Sequence, residues 1–297
     1  MTDAAVSLPA DLRRWLAEHL PAVATVTDAS WPRPQSRVWR LETPTTTAYL
    51  KVSPSKKNYT RETAAYRQAA GALGHDHSPR LIATDPALRA ILTTALAGTP
   101  VRDLPLSPSE EVTVHRHAGQ LLRRWHDHPV HVPLRARDEV RTAMAAYARE
   151  SAACLGALGG LLTDTERDLL GTAARDLPAL ASRLPLTCTH GDFSPRNWIW
   201  DPQRETLGLI DFEAAGHGLA VQDLVWLFGA VWPTRRDLRR SFLDGFGREP
   251  AADEHQVLVL LTTRLAASYL ATGIASNEQV LIERGRTALA DLARTYA

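Results

Sequence analysis

Three side chains that can handle a proton or a metal ion lie close together in this sequence. Asn197 follows Asp192 by five residues, and Asp211 comes directly after an apolar run with strand character. A carboxylate on a rigid loop can orient and deprotonate an attacking hydroxyl, while carboxylate and amide oxygens are ligands that Mg²⁺ accepts. The same residue types at the same spacing form the catalytic centre of kinases. The pattern therefore predicts phosphoryl transfer, with Asp192 as the base and with Asn197 and Asp211 as metal ligands.

A short β-hairpin is predicted to hold the two metal ligands. The segments 198–200 and 207–210 have strand character, and the residues between them begin with the turn-forming pair Asp-Pro. Asn197 and Asp211 stand at the two ends of this hairpin. Because antiparallel strands bring such ends side by side, we expect both residues to reach one ion.

A lysine and a glutamate upstream complete the predicted centre. Lys51 lies at the end of a β-prone run over 48–52, and a helix is predicted over 58–73. Glu62 falls in the first turns of that helix. A lysine near the α- and β-phosphates offsets the charge of phosphoryl transfer, and an acidic partner on a helix fixes it. Lys51 and Glu62 are expected to form this pair.

The first third of the chain is predicted to be mixed and the remainder helical. Further strand character appears at 38–41, 79–83 and 88–92, and Asn58 and Thr60 are the expected caps of the first helix. The later helices are predicted at 107–125, 135–156, 164–184, 220–231, 234–246, 252–271 and 277–296. Ser107, Pro108 and Glu110 form a helix-start signature for the first of these later helices.

Composition and charge argue against several classes of partner. The 297 residues include 34 Lys and Arg against 33 Asp and Glu, so no basic surface for nucleic acid or an anionic membrane is predicted. Cys154 and Cys188 are too few for a disulfide framework and suit a reducing cytoplasm. The sequence has neither a signal-like segment nor a run of roughly 18 apolar residues. We expect a cytoplasmic protein, as a monomer or a dimer, with no membrane partner.

The chain resembles the aminoglycoside phosphotransferase family, small-molecule kinases similar in fold to protein kinases. The resemblance covers most of the chain and rests on the segments 49–52, 61–63, 92–98, 121–126, 190–197, 210–213 and 223–224. It implies an α+β, bilobal, protein-kinase-like fold. A small mixed N-terminal lobe with an antiparallel sheet would bind nucleotide over residues 1–95. A larger, mainly helical C-terminal lobe over 96–297 would carry the catalytic loop and the acceptor site.

The resemblance also implies cofactors and further site residues. ATP or GTP, with Mg²⁺, would donate its γ-phosphoryl group, and backbone groups at Thr94 and Leu96 would grip the base. Asp223 would brace the C-terminal lobe. The first 70 residues contain no glycine, although kinases usually cover the phosphates with a glycine-rich loop. Ser36 or Arg37 is therefore expected to contact the phosphates instead.

The acceptor stays open at the level of sequence. Residues 212–297 contain ten acidic and nine basic side chains, which disfavours a polycationic acceptor that needs many carboxylates. One reading is an antibiotic hydroxyl of aminoglycoside, macrolide, nucleoside or peptide type, phosphorylated for resistance or self-protection. The alternative is a metabolite with an amino alcohol, sugar or amino acid hydroxyl.

Two other classes of protein compete with a small-molecule kinase. A non-catalytic, nucleotide-binding protein of this fold commonly lacks one of the Lys, Asp or Asn positions, and none is missing here. A metal-dependent hydrolase could use His190, Asp192 and Asp211, but it leaves Lys51 and Glu62 without a role. We interpret His190 instead as a scaffold that hydrogen-bonds the backbone.

Overall fold

The computed structural model describes residues 8–30, 37–129 and 132–296. The chain divides into two compact units, Met1–Pro105 with His190–Gly216, and Leu106–Thr189 with His217–Ala297. The segment with the candidate base and metal ligands thus packs with the first part of the chain. The division into nucleotide-binding residues 1–95 and acceptor-binding residues 96–297 stays a prediction.

The first unit is built on a five-stranded antiparallel sheet. Its strands are β1 (Thr25–Asp28), β2 (Arg37–Glu42), β3 (Thr47–Val52), β4 (Leu81–Asp85) and β5 (Ala90–Thr94). Their order across the sheet is β1-β2-β3-β5-β4. The β2–β3 hairpin agrees with its prediction, whereas β4 and β5 each begin two residues later than expected. Neither β1 nor the first helix, α1 (Ala10–His19), was expected.

Side-chain alternation along β3 places Lys51 on the face away from the main sheet core. Ala48 and Leu50 are fully buried in a core that includes Leu12 and Leu16 of α1. Since successive side chains of a strand point to opposite faces, Lys51 projects to the other side. Its backbone is fixed from both neighbours, opposite Val38 in β2 and Ile91 in β5.

The second helix, α2 (Lys56–Leu73), carries Glu62 and begins two residues earlier than predicted. Its cap is Ser55, whose hydroxyl accepts a hydrogen bond from the Asn58 N–H at 3.1 Å. The prediction that Asn58 or Thr60 caps the helix is wrong. Ser55 has the extended backbone that a capping residue requires, and it reaches the third amide of the helix.

A second, small sheet in the first unit contains the predicted catalytic hairpin. Its strands are β6 (Thr99–Pro100), β8 (Trp198–Asp201) and β9 (Thr206–Leu209), in the order β6-β8-β9. The remaining short strands of the described residues are β7 (Thr187–Thr189) and β10 (Gly216–Gly218). The hairpin prediction is confirmed to within a residue at each boundary, and Trp198 and Trp200 are buried in it.

The second unit is mainly helical. Its helices are α3 (Pro108–Asp127), α4 (Leu134–Leu158), α5 (Asp164–Ala181), α6 (Val225–Ala230), α7 (Arg236–Phe246), α8 (Ala252–Ser276) and α9 (Gln279–Tyr296). Ser107 and Glu110 form the predicted capping box at the start of α3. The prediction of one continuous helix over 220–231 is wrong, because Ala220–Leu224 forms a 3₁₀ turn before α6. Within that turn the buried Asp223 is held by a tertiary contact, which overrides the local helical pattern.

Among the described residues, α8 alone is long and apolar enough to cross a membrane by length and composition. Of its most apolar stretch, 61% is buried inside the protein. It packs against α4, α5, α6 and α9. A buried core helix passes the same test of length and composition, and the packing identifies α8 as the centre of the helical unit.

Candidate active site

Lys51 lies among three carboxylates in the first unit. Its Nζ atom is 3.0 Å from Oε1 of Glu62, 2.8 Å from Oδ1 of Asp211 and 2.9 Å from Oε2 of Glu213. Glu62 is almost fully buried, with 1% of its surface exposed, whereas Asp211 and Glu213 retain partial access to water. The structure therefore brings together Lys51, Glu62 and Asp211, and their roles toward a nucleotide stay predictions.

The carboxylate cluster has the chemistry of a cation site. One oxygen from each of Glu62, Asp211 and Glu213 lies within 4.8 Å of the other two. A single ammonium group cannot neutralise three carboxylates, so the cluster keeps an excess of negative charge. Since hard oxygen donors with surplus negative charge are what Mg²⁺ requires, the residues present fit that ion.

The ionisation of these groups is strongly coupled. Burial alone would lower the pKa of Lys51, but Glu62 and Asp211 hold that pKa well above its ordinary value. Burial raises the pKa of Glu62 to about 7, against the attraction of Lys51. Burial also opposes ionisation of Asp211, yet Lys51 outweighs it and keeps the pKa of Asp211 below its ordinary value. Asp211 therefore stays ionised more readily than the buried Glu62.

Asp211 adopts a backbone conformation that is rare for residues with side chains. Its φ and ψ are 62° and 64°, in the left-handed region, directly after β9. Such a conformation costs roughly 1–3 kcal/mol and persists where the surroundings enforce it. The buried phenol of Tyr66 hydrogen-bonds the Asp211 backbone, and the ring of Tyr66 packs edge-on against Phe212. These contacts fix the turn from which the Asp211 carboxylate reaches Lys51.

The loop that carries Asp192 depends on the preceding glycine. Gly191 has φ 78°, and a Cβ atom there would lie 2.4 Å from the carbonyl oxygen of Ala214. Only glycine accepts both the left-handed backbone and this close approach. The loop of Gly191 and Asp192 therefore packs directly on the 3₁₀ turn Phe212–Ala214 that follows Asp211.

The carboxylate of Asp192 is held by two neighbours in its own loop. One terminal nitrogen of Arg196 lies 2.6 Å from each carboxylate oxygen, and Nδ2 of Asn197 donates to Oδ2 at 2.9 Å. The same Asn197 nitrogen donates to the backbone carbonyl of Asp192 at 2.8 Å. The side-chain oxygen of Asn197 accepts no hydrogen bond from a described residue. That oxygen is thus oriented by the loop and left for another ligand.

The predicted metal ligands stand at adjacent backbone positions. The N–H of Ile210 donates to the carbonyl of Asn197 at 3.0 Å, which ties the two ends of the hairpin together. This contact places Asn197 beside the residue that precedes Asp211, as the hairpin prediction requires.

His190 has the geometry of a scaffold. It is fully buried, and Nε2 lies 3.0 Å from the Ile210 carbonyl, an acceptor to which that nitrogen must donate. Its Nδ1 faces the N–H of Asp192 at 3.4 Å, and its ring contacts Phe212 and Phe193. With both nitrogens engaged by backbone, His190 has no lone pair for a metal ion. The hydrolase hypothesis loses one of its three ligands.

Thr94 and Leu96, the expected nucleobase contacts, differ in whether their backbone groups are already hydrogen-bonded within the protein. The N–H of Thr94 donates to the Arg80 carbonyl at 2.9 Å, and its hydroxyl accepts from the Arg80 N–H at 2.9 Å. The backbone of Leu96 makes no hydrogen bond with any described residue, so it is the position better able to bind a base. Ser36 lies outside the described residues.

Asp223 is buried in the helical unit, where its carboxylate lies 2.9 Å from Nε2 of His126. A polar pair between α3 and the turn before α6 is what a bracing residue would make. This contact lies entirely within the second unit.

Sequence reasoning missed four residues around the site. Glu213 binds Lys51, Asn58 donates to Glu213 at 2.5 Å, Arg196 binds Asp192, and Tyr66 supports Asp211. Glu213 was the most accessible to prediction, because it lies two residues after Asp211 in the same short motif. Asn58 and Tyr66 gave no signal, since their partners are more than 140 residues away in the chain.

Solved structures of similar fold place the protein in the protein-kinase-like fold of aminoglycoside phosphotransferases. The streptomycin–ATP ternary complex of APH(2")-IIa has a TM-score of 0.64 at 16% identity, covering 96% of this chain and 97% of that one. The GDP complex of wild-type aminoglycoside 2'-phosphotransferase-IIIa has a TM-score of 0.65 at 16% identity, covering 96% of this chain and 99% of that one. The apo form of a thermostable APH(4)-Ia mutant has a TM-score of 0.65 at 16% identity, again covering 96% of this chain and 99% of that one. These likenesses confirm the predicted α+β, kinase-like fold class.

The sequence itself identifies the family. The model of the phosphotransferase enzyme family matches residues 33–260, most of the chain. The protein therefore belongs to the phosphotransferase enzyme family, which confirms the resemblance found in its motifs. Among curated proteins, no sequence matches this chain.

Proposed function

We propose that the protein is a Mg²⁺-dependent kinase of small molecules that transfers the γ-phosphoryl group of ATP or GTP to a hydroxyl. The observation that carries this proposal is that one compact unit contains both the oriented carboxylate of Asp192 and the carboxylate cluster around Lys51. A hydrolase would need no lysine at this place, and a protein that only binds nucleotide would need no oriented base.

Asp192 takes the role of base in this mechanism. Its carboxylate is fixed by Asn197 and Arg196, so an acceptor hydroxyl can be oriented against a preformed oxygen. In-line attack forms the bond from the acceptor oxygen to phosphorus and breaks the bond to the nucleoside diphosphate. The hydroxyl proton passes to Asp192.

Lys51, Asn197 and Asp211 bind the phosphates of the nucleotide and its metal ion. Lys51, steadied by the buried Glu62, aligns the phosphates, and Asp211 and the free amide oxygen of Asn197 would hold Mg²⁺. When bound, the ion neutralises charge on the phosphates of the nucleotide. Leu96 offers backbone groups to the base; Thr94 and Ser36 remain part of the proposed nucleotide site.

An antibiotic hydroxyl is the proposed acceptor. Complexes of similar fold contain streptomycin, gentamicin or kanamycin, at 15–16% identity to this chain. The balanced charge of residues 212–297 favours a weakly charged antibiotic over a polycation, and it equally suits a metabolite hydroxyl. Two free cysteines, both buried, support a cytoplasmic location.

Screening γ-labelled ATP and GTP against hydroxylated antibiotics and metabolites tests the proposal, with Asp192→Ala and Asp176→Ala compared on every acceptor that reacts. We expect Asp192→Ala to lower kcat by roughly two to four decades with nucleotide affinity nearly unchanged. Asp176 is exposed on α5 and provides the matched control. Turnover in Asp192→Ala equal to that in Asp176→Ala would show that Asp192 is not the base. Phosphate release from a phosphoester without nucleotide would favour the hydrolase instead.

A further inference from the structure

Arg196 makes an unusual contact for a partly exposed arginine, because it hydrogen-bonds both carboxylate oxygens of the candidate base Asp192. One of its terminal nitrogens lies 2.6 Å from both Oδ1 and Oδ2 of Asp192, four residues earlier in the loop. Pro195 and Asn197 flank it in a 3₁₀ turn whose end is closed by the Asn197 N–H donating to the Ser194 carbonyl at 2.9 Å. The turn thus sets the direction from which the guanidinium meets the carboxylate.

An ordinary ion pair between exposed side chains would contribute about 0–1 kcal/mol to stability and nothing to catalysis. Both partners here are partly exposed, at 40% and 31% of their side-chain surface, so a large contribution to stability is not expected. The contact differs from an ordinary pair in what it fixes. Asn197 binds only Oδ2, whereas one nitrogen of Arg196 lies equally close to both oxygens, so the two donors together fix the rotation of the carboxylate.

Counting lone pairs identifies the oxygen that is left for an acceptor. Each carboxylate oxygen has about two acceptor sites. Among the described residues, Oδ2 receives bonds from Arg196 and Asn197 and is filled, whereas Oδ1 receives a bond from Arg196 only. Oδ1 therefore keeps one lone pair, in a direction that Arg196 and Asn197 together determine.

We propose that Arg196 is a positioning residue that holds the Asp192 carboxylate with Oδ1 directed at the acceptor hydroxyl. This inference rests on the proposed function, since it assigns Arg196 a part in the same transfer. The proton of the hydroxyl goes to Oδ1, the acceptor oxygen bonds to the γ-phosphorus, and the nucleoside diphosphate leaves with the electron pair of the broken bond. Arg196 exchanges no proton in this step.

The test compares Arg196→Ala and Arg196→Lys with Arg204→Ala, a control in the same unit whose arginine is 72% exposed and pairs with Asp201 at 3.8 Å. The assay is transfer from γ-labelled ATP to an acceptor that the wild type turns over, and to water. Calorimetry with Mg-ATP measures nucleotide binding separately. Because a misplacement of about 1 Å can cost a factor of about 100, we expect Arg196→Ala to lower kcat roughly 10–100-fold. The affinity for Mg-ATP should stay within about twofold of wild type.

A role in positioning predicts rescue, which a purely structural role does not. Arg196→Lys keeps one cationic donor and should recover part of kcat, and added guanidinium ion should partly restore Arg196→Ala. If Asp192→Ala is inactive while Arg196→Ala matches Arg204→Ala, the inference is overturned and the proposed function stands. Loss of kcat in Arg196→Ala with neither form of rescue also overturns it. If the wild type transfers phosphate to no acceptor and not to water, the proposed function fails and this inference fails with it.

Discussion

Lys51→Met tests whether the lysine holds the carboxylate cluster together before any ligand binds. The variant removes the positive charge that lies 2.8–3.0 Å from Glu62, Asp211 and Glu213. Asp211 and Glu213 are partly exposed, so water can solvate their charges once the ammonium group is gone. Glu62 is 1% exposed, so water cannot solvate its charge in the same way. Removing one partner of a buried ion pair costs about 3–5 kcal/mol, and we expect the lower end because Glu62 can take up a proton.

Protonation of Glu62 gives the loss a characteristic pH dependence. The pKa of Glu62 is about 7 with Lys51 present, and removing the cation raises it further. The folded and unfolded states differ in the protonation of Glu62 only between the unfolded pKa of 4.5 and the folded pKa, and within that window stability falls by about 1.4 kcal/mol per pH unit. The wild type stops losing stability near pH 7, whereas Lys51→Met continues to lose it up to its own, higher pKa. The destabilisation should therefore be small at pH 6 and reach about 3 kcal/mol near pH 9.

Scanning calorimetry at both pH values measures this effect. A loss of about 3 kcal/mol corresponds to a fall in Tm of roughly 6–12 °C in a protein of this size. Lys57→Met, on the exposed side of α2, removes the same charge without touching the cluster and should leave Tm within about 1 °C. Mg²⁺ should raise the Tm of Lys51→Met more than that of the wild type, because the ion replaces the missing charge. Equal stability of Lys51→Met and Lys57→Met at pH 9 would refute the reasoning.

Two further variants test the loop and the buried glutamate. Gly191→Ala should abolish most activity and lower stability by about 2 kcal/mol, because its Cβ would lie 2.4 Å from the Ala214 carbonyl at a left-handed φ. Gly156→Ala, where nothing lies within 4 Å, should be neutral or stabilising, and similar activities in the two variants would contradict the loop geometry. Glu62→Gln should change how Tm varies with pH: the wild-type carboxyl has a folded pKa of about 7, above 4.5, so its contribution to stability falls as pH rises through that window. Parallel curves of Tm against pH for the wild type and Glu62→Gln would show that Glu62 does not titrate there.

Features that depend on neighbours in the chain were predictable. The hairpin over 198–210 follows from two apolar runs and a turn, and the capping box at Ser107 needs only residues three apart. The pairing of Lys51 with Glu62 required only the order of a strand and a helix. These contacts are set by local geometry, which sequence patterns describe well.

Features that depend on distant residues were not predictable. Glu213 pairs with Asn58 across 155 residues, and Tyr66 hydrogen-bonds the backbone of Asp211 from an equally remote segment. The 3₁₀ turn before α6 forms because Asp223 is bound by a histidine from α3, although its own sequence favours a helix. In each case the contacting residue comes from a remote segment of the chain, and no local sequence pattern indicates that contact.

The contacts of Lys51 constrain how a nucleotide would enter the proposed site. Lys51 can align phosphates only by giving up at least one of its three carboxylates, and the three are not equivalent. Glu62 is buried and cannot be left without a partner at low cost, whereas Asp211 and Glu213 are partly exposed. Asp211 is also the proposed metal ligand, so Asp211 would hold Mg²⁺ in place of the Lys51 ammonium, which leaves Lys51 able to bind phosphates. The buried Lys51–Glu62 pair would then persist through binding, and the exposed pairs would be the ones exchanged.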